Sequence, residues 1–572
     1  MTSLDAEGLR EALVELGDRV ASVSVRAPGP GDTTADDRRR LRWHLGEYLV
    51  PRAMDLTTPL VAVLLGSTGA GKSSLLNGLA GRRVSASGIV RPTTRRPVVL
   101  LAPGDVAGFK AGKVLASLAN SDRLELAVAA AFPGIALVDA PDLDSVEGAN
   151  RQAAAELLQA ADLCLFVTTA QRYADAVPWD FLRQARARGA PLVVVCNRLP
   201  ADPADRAAIL ADCGRRFAEA GLAHAGPHGP LEILPVLEGS RDPATDGLSA
   251  AAIEPVRAAL AALSRDAAAM AKVKAKALRG ALAGLPAAVE QLARDLEADQ
   301  RRAQALGAVV RRAYDHQHAL LEERLAGGEF LRGEVMRSWQ EFVGAGEVTR
   351  WLAGGIGRVR AWLARQFRPR AVPPLQQAKE QAFEELLSAL VRAADAAAHH
   401  VAADWTTDPA GAALLASRPE LWGHDPGLEQ SGRTLLTAWL GRLTSMVEER
   451  GHNRRAFAFA ASLGVNALGL IAMLAVFAHS AGLTGGELVI AGGTAAVNQK
   501  LLEALIGEAA VADIIRAASR DLRSTLHAAL GLDAERFHAL LAPPPTTPAA
   551  LRASAARVAD EADRLLAARE RA

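Results

Sequence analysis

A chain of 572 residues is longer than one hydrophobic core usually organises, which predicts about two or three domains. Lys plus Arg total 65 against 64 for Asp plus Glu, so a net charge of +1 gives no global attraction for nucleic acid. Cys164, Cys196 and Cys213 are isolated in or near apolar runs, which fits neither a disulfide framework nor a metal site and suits a reducing cytoplasm.

The N-terminal stretch MTSLDAEGLREALVEL is acidic and amphipathic, without the basic start and apolar block of a signal peptide. Two helical patterns follow, Leu4 to Val23 and Asp36 to Tyr48, broken by the Pro- and Gly-rich segment at 27–34. Residues 1–57 are expected to join a helical bundle. Across 58–260 the texture changes to short β-rich runs between helical stretches: LVAVLL, RPVVLLA, GIALVDA, DLCLFVTT, APLVVVCN and LEILPVL. That alternation predicts an α/β domain, a mostly parallel sheet with helices on both faces. From Ile253 onward apolar residues recur at three- and four-residue spacing and strand signals fade. A long all-α bundle or stalk is therefore expected over 261–455, continued by C-terminal helices over 500–572. APPPTTP at 542–548 halts the pattern before a last helix, Ala549 to Ala568.

Directly after the first β-rich run stands Gly66-Ser67-Thr68-Gly69-Ala70-Gly71-Lys72-Ser73, a full match to G-x-x-x-x-G-K-[ST], followed by Ser74 and an amphipathic helix start. In such a loop the glycines let backbone N–H groups converge on phosphates, the Lys reaches the terminal phosphates and the Ser hydroxyl meets Mg²⁺. A nucleotide switch also needs a Thr near the γ-phosphate, and RPTTRRP at 91–97 offers Thr93 and Thr94. A second metal-facing carboxylate is expected at the end of a neighbouring strand, where GIALVDAPDLDS places Asp139.

With GSTGAGKSSLLN, TTRRP, LVDAPDLDS and VVVCNRLP together, the chain resembles the GTPase domain of bacterial dynamin-like proteins, of the membrane-linked actinobacterial type. By motif the resemblance covers roughly residues 40–260; beyond that it rests on layout. It implies a P-loop GTPase domain on a helical stalk, with GTP as substrate, GDP as product and Mg²⁺ as cofactor. Thr94, which begins Thr-Arg-Arg-Pro, is favoured over Thr93. The implied metal set is Ser73, Thr94 and Asp139, with Lys72, Thr94 and Asp139 catalytic and Asn197 and Arg198 at the base.

Three departures from the family pattern stand out. The D-x-x-G turn ends in Asp142 rather than Gly, and a carboxylate there is electrostatically awkward unless it points away. The base-reading N-K-x-D is Asn197-Arg198-Leu199-Pro200, without the Asp that pairs with guanine, so guanine against adenine stays open; Asp202 and Asp205 are the nearest acidic substitutes. Thr68 and Gly69 stand where dynamin-type loops carry Gln and Ser, and Leu143 where a small GTPase carries its water-orienting Gln.

Residues 456–478 run uncharged, with Ser462 and Asn466 the polar side chains. At ~1.5 Å per residue this is about 34 Å, enough to cross a hydrocarbon core of ~30 Å. A shorter Gly- and Ala-rich leg follows at 488–499. Arg450, Arg454 and Arg455 before the pair and Lys500 after it fit an apolar hairpin over 456–499 with cytoplasmic ends. A reversible membrane paddle and a buried helix pair within the bundle are the alternatives. Residues 350–370 carry six arginines, no acidic residue and an apolar side with Trp351 and Trp362, which fits an anionic lipid surface or a bundle helix. RYADAVPW at 172–179 is a candidate contact to another GTPase domain. His318 and Glu322 lie one helical turn apart, but two ligands make no metal site.

The expected protein is a Mg²⁺-dependent dynamin-like GTPase on the cytoplasmic side of the cell membrane. It would self-assemble, with a hetero-partner of its own family as a further option, and would bind no nucleic acid. A membrane-anchored nucleotide-binding scaffold with negligible hydrolysis or relaxed base specificity is the alternative.

Overall fold

The computed structural model describes residues 3–26, 32–86, 96–111, 114–116, 124–129, 132–142, 148–173, 176–239, 241–326, 373–450 and 508–571. The chain divides into two compact units. The first takes in Met1–Val25, Asp32–Ala298 and Pro544–Ala572; the second takes in Arg26–Gly31 and Asp299–Pro543.

The first unit is built on a seven-stranded sheet. Its strands are β1 (Leu60–Leu65), β2 (Val98–Leu101), β3 (Glu125–Val128), β4 (Ile135–Asp139), β5 (Leu163–Thr169), β6 (Leu192–Leu199) and β7 (Glu232–Leu237). Their order is β3-β2-β4-β1-β5-β6-β7; β2 runs antiparallel to β4 and every other pairing is parallel. The mostly parallel P-loop sheet expected from the sequence is thus present. The six β-rich runs each supply a strand. The seventh, β3, sits at the sheet edge with one buried position in four, so no apolar run marks it, whereas the equally short β2 is buried throughout.

Because strand side chains alternate in direction, β1 divides its apolar residues between two cores. Val61, Val63 and Leu65 belong to one extended buried cluster that also takes in Leu9, Leu13 and Leu16 of the first helix (Ser3–Ala21) and Leu551 and Val558 of the last (Pro548–Arg571). Leu60, Ala62 and Leu64 pack with Leu75 and Leu76 behind the phosphate loop and with Val256 and Leu260 of the helix Glu254–Arg265. All six β1 residues are buried, as a strand covered on both faces requires.

The foot of β1 is fixed by Asp162, a fully buried carboxylate. It accepts from the Val61 N–H at 2.8 Å, from the Tyr48 hydroxyl at 3.0 Å and from the Arg52 guanidinium. Tyr48 lies in a π-helical turn, Leu45–Leu49, between the helices Thr34–His44 and Val50–Met54. His44 stacks on its ring at 5.5 Å between centroids, and the Arg188 guanidinium lies 4.5 Å from the ring centre. The N-terminal helices are therefore tied to the strand that carries the phosphate loop.

The second unit is helical. Its members are residues from Asp299 onward of the helix Ala267–Ala326, together with the helices Pro373–Thr407, Pro409–Ala416, Leu428–Arg450 and Glu508–Leu540. Trp405, fully buried, packs edge-on against Phe537 and donates to the Leu306 carbonyl at 3.3 Å. Tyr314 meets Phe537 from another side and hydrogen-bonds Asp533. Most other core positions are Ala and Leu, which lets helices approach closely.

Among the described residues no helix is long and apolar enough to cross a membrane. The apolar stretch at 456–499 and the arginine-rich stretch at 350–370 both lie outside the described residues.

Candidate nucleotide-binding site

Parallel strands deliver their C-terminal ends to one edge of the sheet, and in such folds ligands bind outside that edge. Here β1 delivers Gly66, β4 delivers Asp139 and β6 delivers Asn197. Gly66 can only be Gly, since a Cβ there would stand 2.2 Å from the Val167 carbonyl oxygen on β5. The loop turns through left-handed backbone at Gly69 (φ 77°) and Gly71 (φ 101°) before the helix Lys72–Ala80 begins. Ser67, Ala70 and Ser74 are buried, Thr68 is half-buried and Gly69 is exposed.

Lys72 is 5% exposed, and its ammonium donates to three acceptors. These are the Gly66 carbonyl at 2.8 Å, the Ser67 carbonyl at 3.3 Å and Asp142 Oδ1 at 2.6 Å. The carboxylate that replaces the family's Gly therefore points at the phosphate-loop lysine.

Asp139 ends β4 fully buried. Its Oδ2 accepts from the Ser73 hydroxyl at 2.7 Å and from the Ser85 hydroxyl at 2.7 Å. Its Oδ1 is buried and has no hydrogen-bond partner among the described residues. Burial pushes this carboxyl above the usual carboxylate range, opposed by the Lys72 charge and the two hydroxyls. A buried carboxylate oxygen left over beside a serine hydroxyl fits a hard divalent cation such as Mg²⁺, which prefers oxygen donors and supplies the missing partner. Thr93 and Thr94 lie outside the described residues, as does Leu143.

Asn197 and Arg198 both reach the loop. Asn197, 3% exposed, donates from Nδ2 to the Ala70 carbonyl at 2.8 Å, while its Oδ1 accepts from the Arg198 N–H at 2.8 Å. Arg198 is exposed, adopts φ 57° and donates to the Gly69 carbonyl at 3.2 Å. Asp202 is engaged elsewhere, capping the helix Pro203–Glu219 by accepting from the N–H groups of Ala204 and Asp205.

Two contributors carry no motif. Arg172, just beyond β5, donates to the Thr68 carbonyl at 2.8 Å. Ser85 is held against Asp139 through Asn77, whose Oδ1 accepts from the N–H groups of Val84 and Ser85 and whose Nδ2 donates to the Ser85 carbonyl. Within 172–179, Trp179 packs on Phe217 at 5.0 Å and Tyr173 hydrogen-bonds Asp212, both inside the first unit.

Residues 61–198 match the family model described as 50S ribosome-binding GTPase. No curated protein matches the chain. Among solved structures it is similar to an oligomerised bacterial dynamin pair described as a mechanism for long-range sensing and tethering of membranes. That likeness has 12% identity over 92% of this chain and 91% of the other, at a TM-score of 0.36. LeoA, a bacterial dynamin GTPase from ETEC, aligns at 15% identity over 100% of this chain and 95% of its own, at a TM-score of 0.23. Era, in complex with MgGDPNP and 16S ribosomal RNA nucleotides, aligns at 19% identity over 36% and 57% of the two chains, at a TM-score of 0.24. Strand order, phosphate loop and family match agree on a P-loop GTPase domain over residues 61–198.

Proposed function

We propose that the chain is a Mg²⁺-dependent, dynamin-like GTPase that couples its nucleotide state to self-assembly and to binding or remodelling of the cytoplasmic membrane. The observation that carries this reading is the convergence of Lys72, Ser73 and the unpartnered Asp139 Oδ1 beneath one phosphate loop. Lys72 would bind the terminal phosphates. Ser73, Asp139 and Thr94 would hold Mg²⁺, which neutralises phosphate charge when bound. Asn197 and Arg198 would meet the base. The family resemblance, together with the apolar stretch at 456–499, supports a membrane as the place of action and copies of the chain, or a relative, as partners.

Titration with GDP, GTP, ADP and ATP, each with and without Mg²⁺, tests the site and its base preference together. Guanine nucleotides binding tighter, and only with Mg²⁺ for the triphosphate, is the expected result. Equal affinity for adenine nucleotides would remove the GTPase assignment. GTP turnover is expected to be weak and to rise with protein concentration and with anionic liposomes. Deleting 456–499 is expected to release the chain from a membrane pellet as soluble protein; an insoluble product would instead assign that stretch to the core.

A second reading is favoured by one contact, the Asp142 carboxylate on Lys72. With the lysine so engaged, the chain would serve as a membrane-anchored nucleotide-binding scaffold with negligible hydrolysis. Single-turnover assays with GTP separate the two, since the scaffold yields no product over hours.

A further inference from the structure

A lysine ammonium has three N–H donors. All three of Lys72's are matched by acceptors, two backbone carbonyls of the loop and Asp142 Oδ1. The carbonyls belong to Gly66 and Ser67 and fix the lysine stem over its own loop. Asp142 is the charged partner, at 2.6 Å, with the side chains 4% and 16% exposed. An ion pair this shielded keeps much of its Coulomb attraction, and a second anion brought to the same ammonium feels equally unscreened repulsion.

The lysine of this motif serves the β- and γ-phosphates. A γ-phosphate and the Asp142 carboxylate therefore want the same cation from the same side. A nucleotide that ends at its β-phosphate brings no third phosphate into this competition, and that phosphate can take the donors now on the Gly66 and Ser67 carbonyls while the Lys72–Asp142 pair stands. From this geometry we propose that Asp142 is a specificity-determining residue that makes the site select nucleoside diphosphate over triphosphate.

The inference rests on the nucleotide-binding reading and adds a direction to it. In the usual turn, Gly at this position offers only a backbone N–H, an attractive partner for the γ-phosphate. Asp142 adds a competing anion at the same place. The diphosphate form is then the resting form of the protein. Triphosphate entry requires the carboxylate to leave Lys72, so anything that draws Asp142 aside acts as an activator.

The test is a fluorescence titration of the full chain, in fixed Mg²⁺, with mant-GDP and with the non-hydrolysable mant-GppNHp. Asp142→Asn keeps shape and removes charge; Asp142→Gly restores the usual turn. Wild type is expected to bind the diphosphate at least about tenfold tighter, a difference of roughly 1.4 kcal/mol. Both variants should tighten the triphosphate by about tenfold and move the diphosphate by less than about threefold. Melting curves that match wild type show that both variants fold. An unchanged ratio, or both nucleotides shifting together, would overturn the role of Asp142 while leaving the site in place. Failure of wild type and both variants to bind either of these nucleotides or their mant-ADP and mant-AppNHp counterparts would overturn the nucleotide reading itself, and this inference with it.

Discussion

A methyl group on Gly71 would stand 2.4 Å from Nδ2 of Asn197, the same nitrogen that donates to the Ala70 carbonyl. The phosphate loop and the end of β6, far apart in sequence, are thus fitted against each other with no spare volume. Gly71→Ala combines this clash with a left-handed φ of 101°. It should cost about 1 kcal/mol for the backbone and about 1 kcal/mol more for the displaced hydrogen bond. Urea unfolding measures the loss, and nucleotide affinity should fall at least about tenfold with it. A fully stable, fully binding variant would show that the loop and Asn197 are independent.

Lys72→Ala removes the phosphate-facing charge and frees Asp142. Because the lysine's remaining contacts are to its own loop, the fold should survive, with the melting midpoint moving by only a few degrees. Nucleotide affinity should drop by at least about a hundredfold, the scale of two charge-assisted hydrogen bonds. Retained affinity in a titration would refute the assignment of the site.

Asp162→Ala tests the tie between the N-terminal helices and β1. It strands the Arg52 guanidinium and the Tyr48 hydroxyl in a fully buried setting, which costs about 3–5 kcal/mol. Chemical denaturation should register that loss. A change under about 1 kcal/mol would mean that the buried network relaxes around water instead.

The sequence pattern carried the phosphate loop, six of the seven strands and Asp139 because each has a local signature: a glycine-spaced motif, an apolar β-rich run, a carboxylate ending a buried strand. What it could not carry depends on tertiary proximity. Arg172 and Ser85 stand in no motif, and they matter only because β5 and the loop after the phosphate-loop helix end beside Thr68 and Asp139. Strand β3 buries only one of its four residues at a sheet edge, so no apolar run marks it. Asp142 was visible as a departure, but whether it faced away from or toward Lys72 is a matter of backbone course, which no spacing rule encodes.

His44 gives the first unit a defined acid sensitivity. It is 6% exposed, with Nδ1 on the Gln159 carbonyl at 2.8 Å. Burial, and then the nearby Arg188 charge, hold its pKa down to about 3 against an ordinary 6.5. Above pH 6.5 both folded and unfolded chains keep the imidazole neutral, so it adds no pH dependence. As pH falls from 6.5 toward 3 only the unfolded chain takes the proton, and stability drops by about 1.4 kcal/mol per unit. Urea unfolding at pH 7 and pH 5 should show about 2 kcal/mol lost from this residue. His44→Gln should flatten that part of the profile; an unchanged slope would place the sensitivity elsewhere.

The pairing of the helices Ser3–Ala21 and Pro548–Arg571 has a consequence for how the protein is made. Glu15 and Arg557 form an ion pair across 542 residues of chain, and Leu551 and Val558 join Leu9 and Leu13 in one buried cluster. A ribosome adds roughly 5–20 residues per second, so the first helix waits on the order of half a minute or longer for its partner. Throughout that time the apolar side of the first helix that pairs with the last one lacks its cover, although the phosphate loop has long since been translated. Completion of the nucleotide-binding unit is thereby deferred until the helical unit has emerged, so synthesis, and not only sequence, orders the assembly of this molecule.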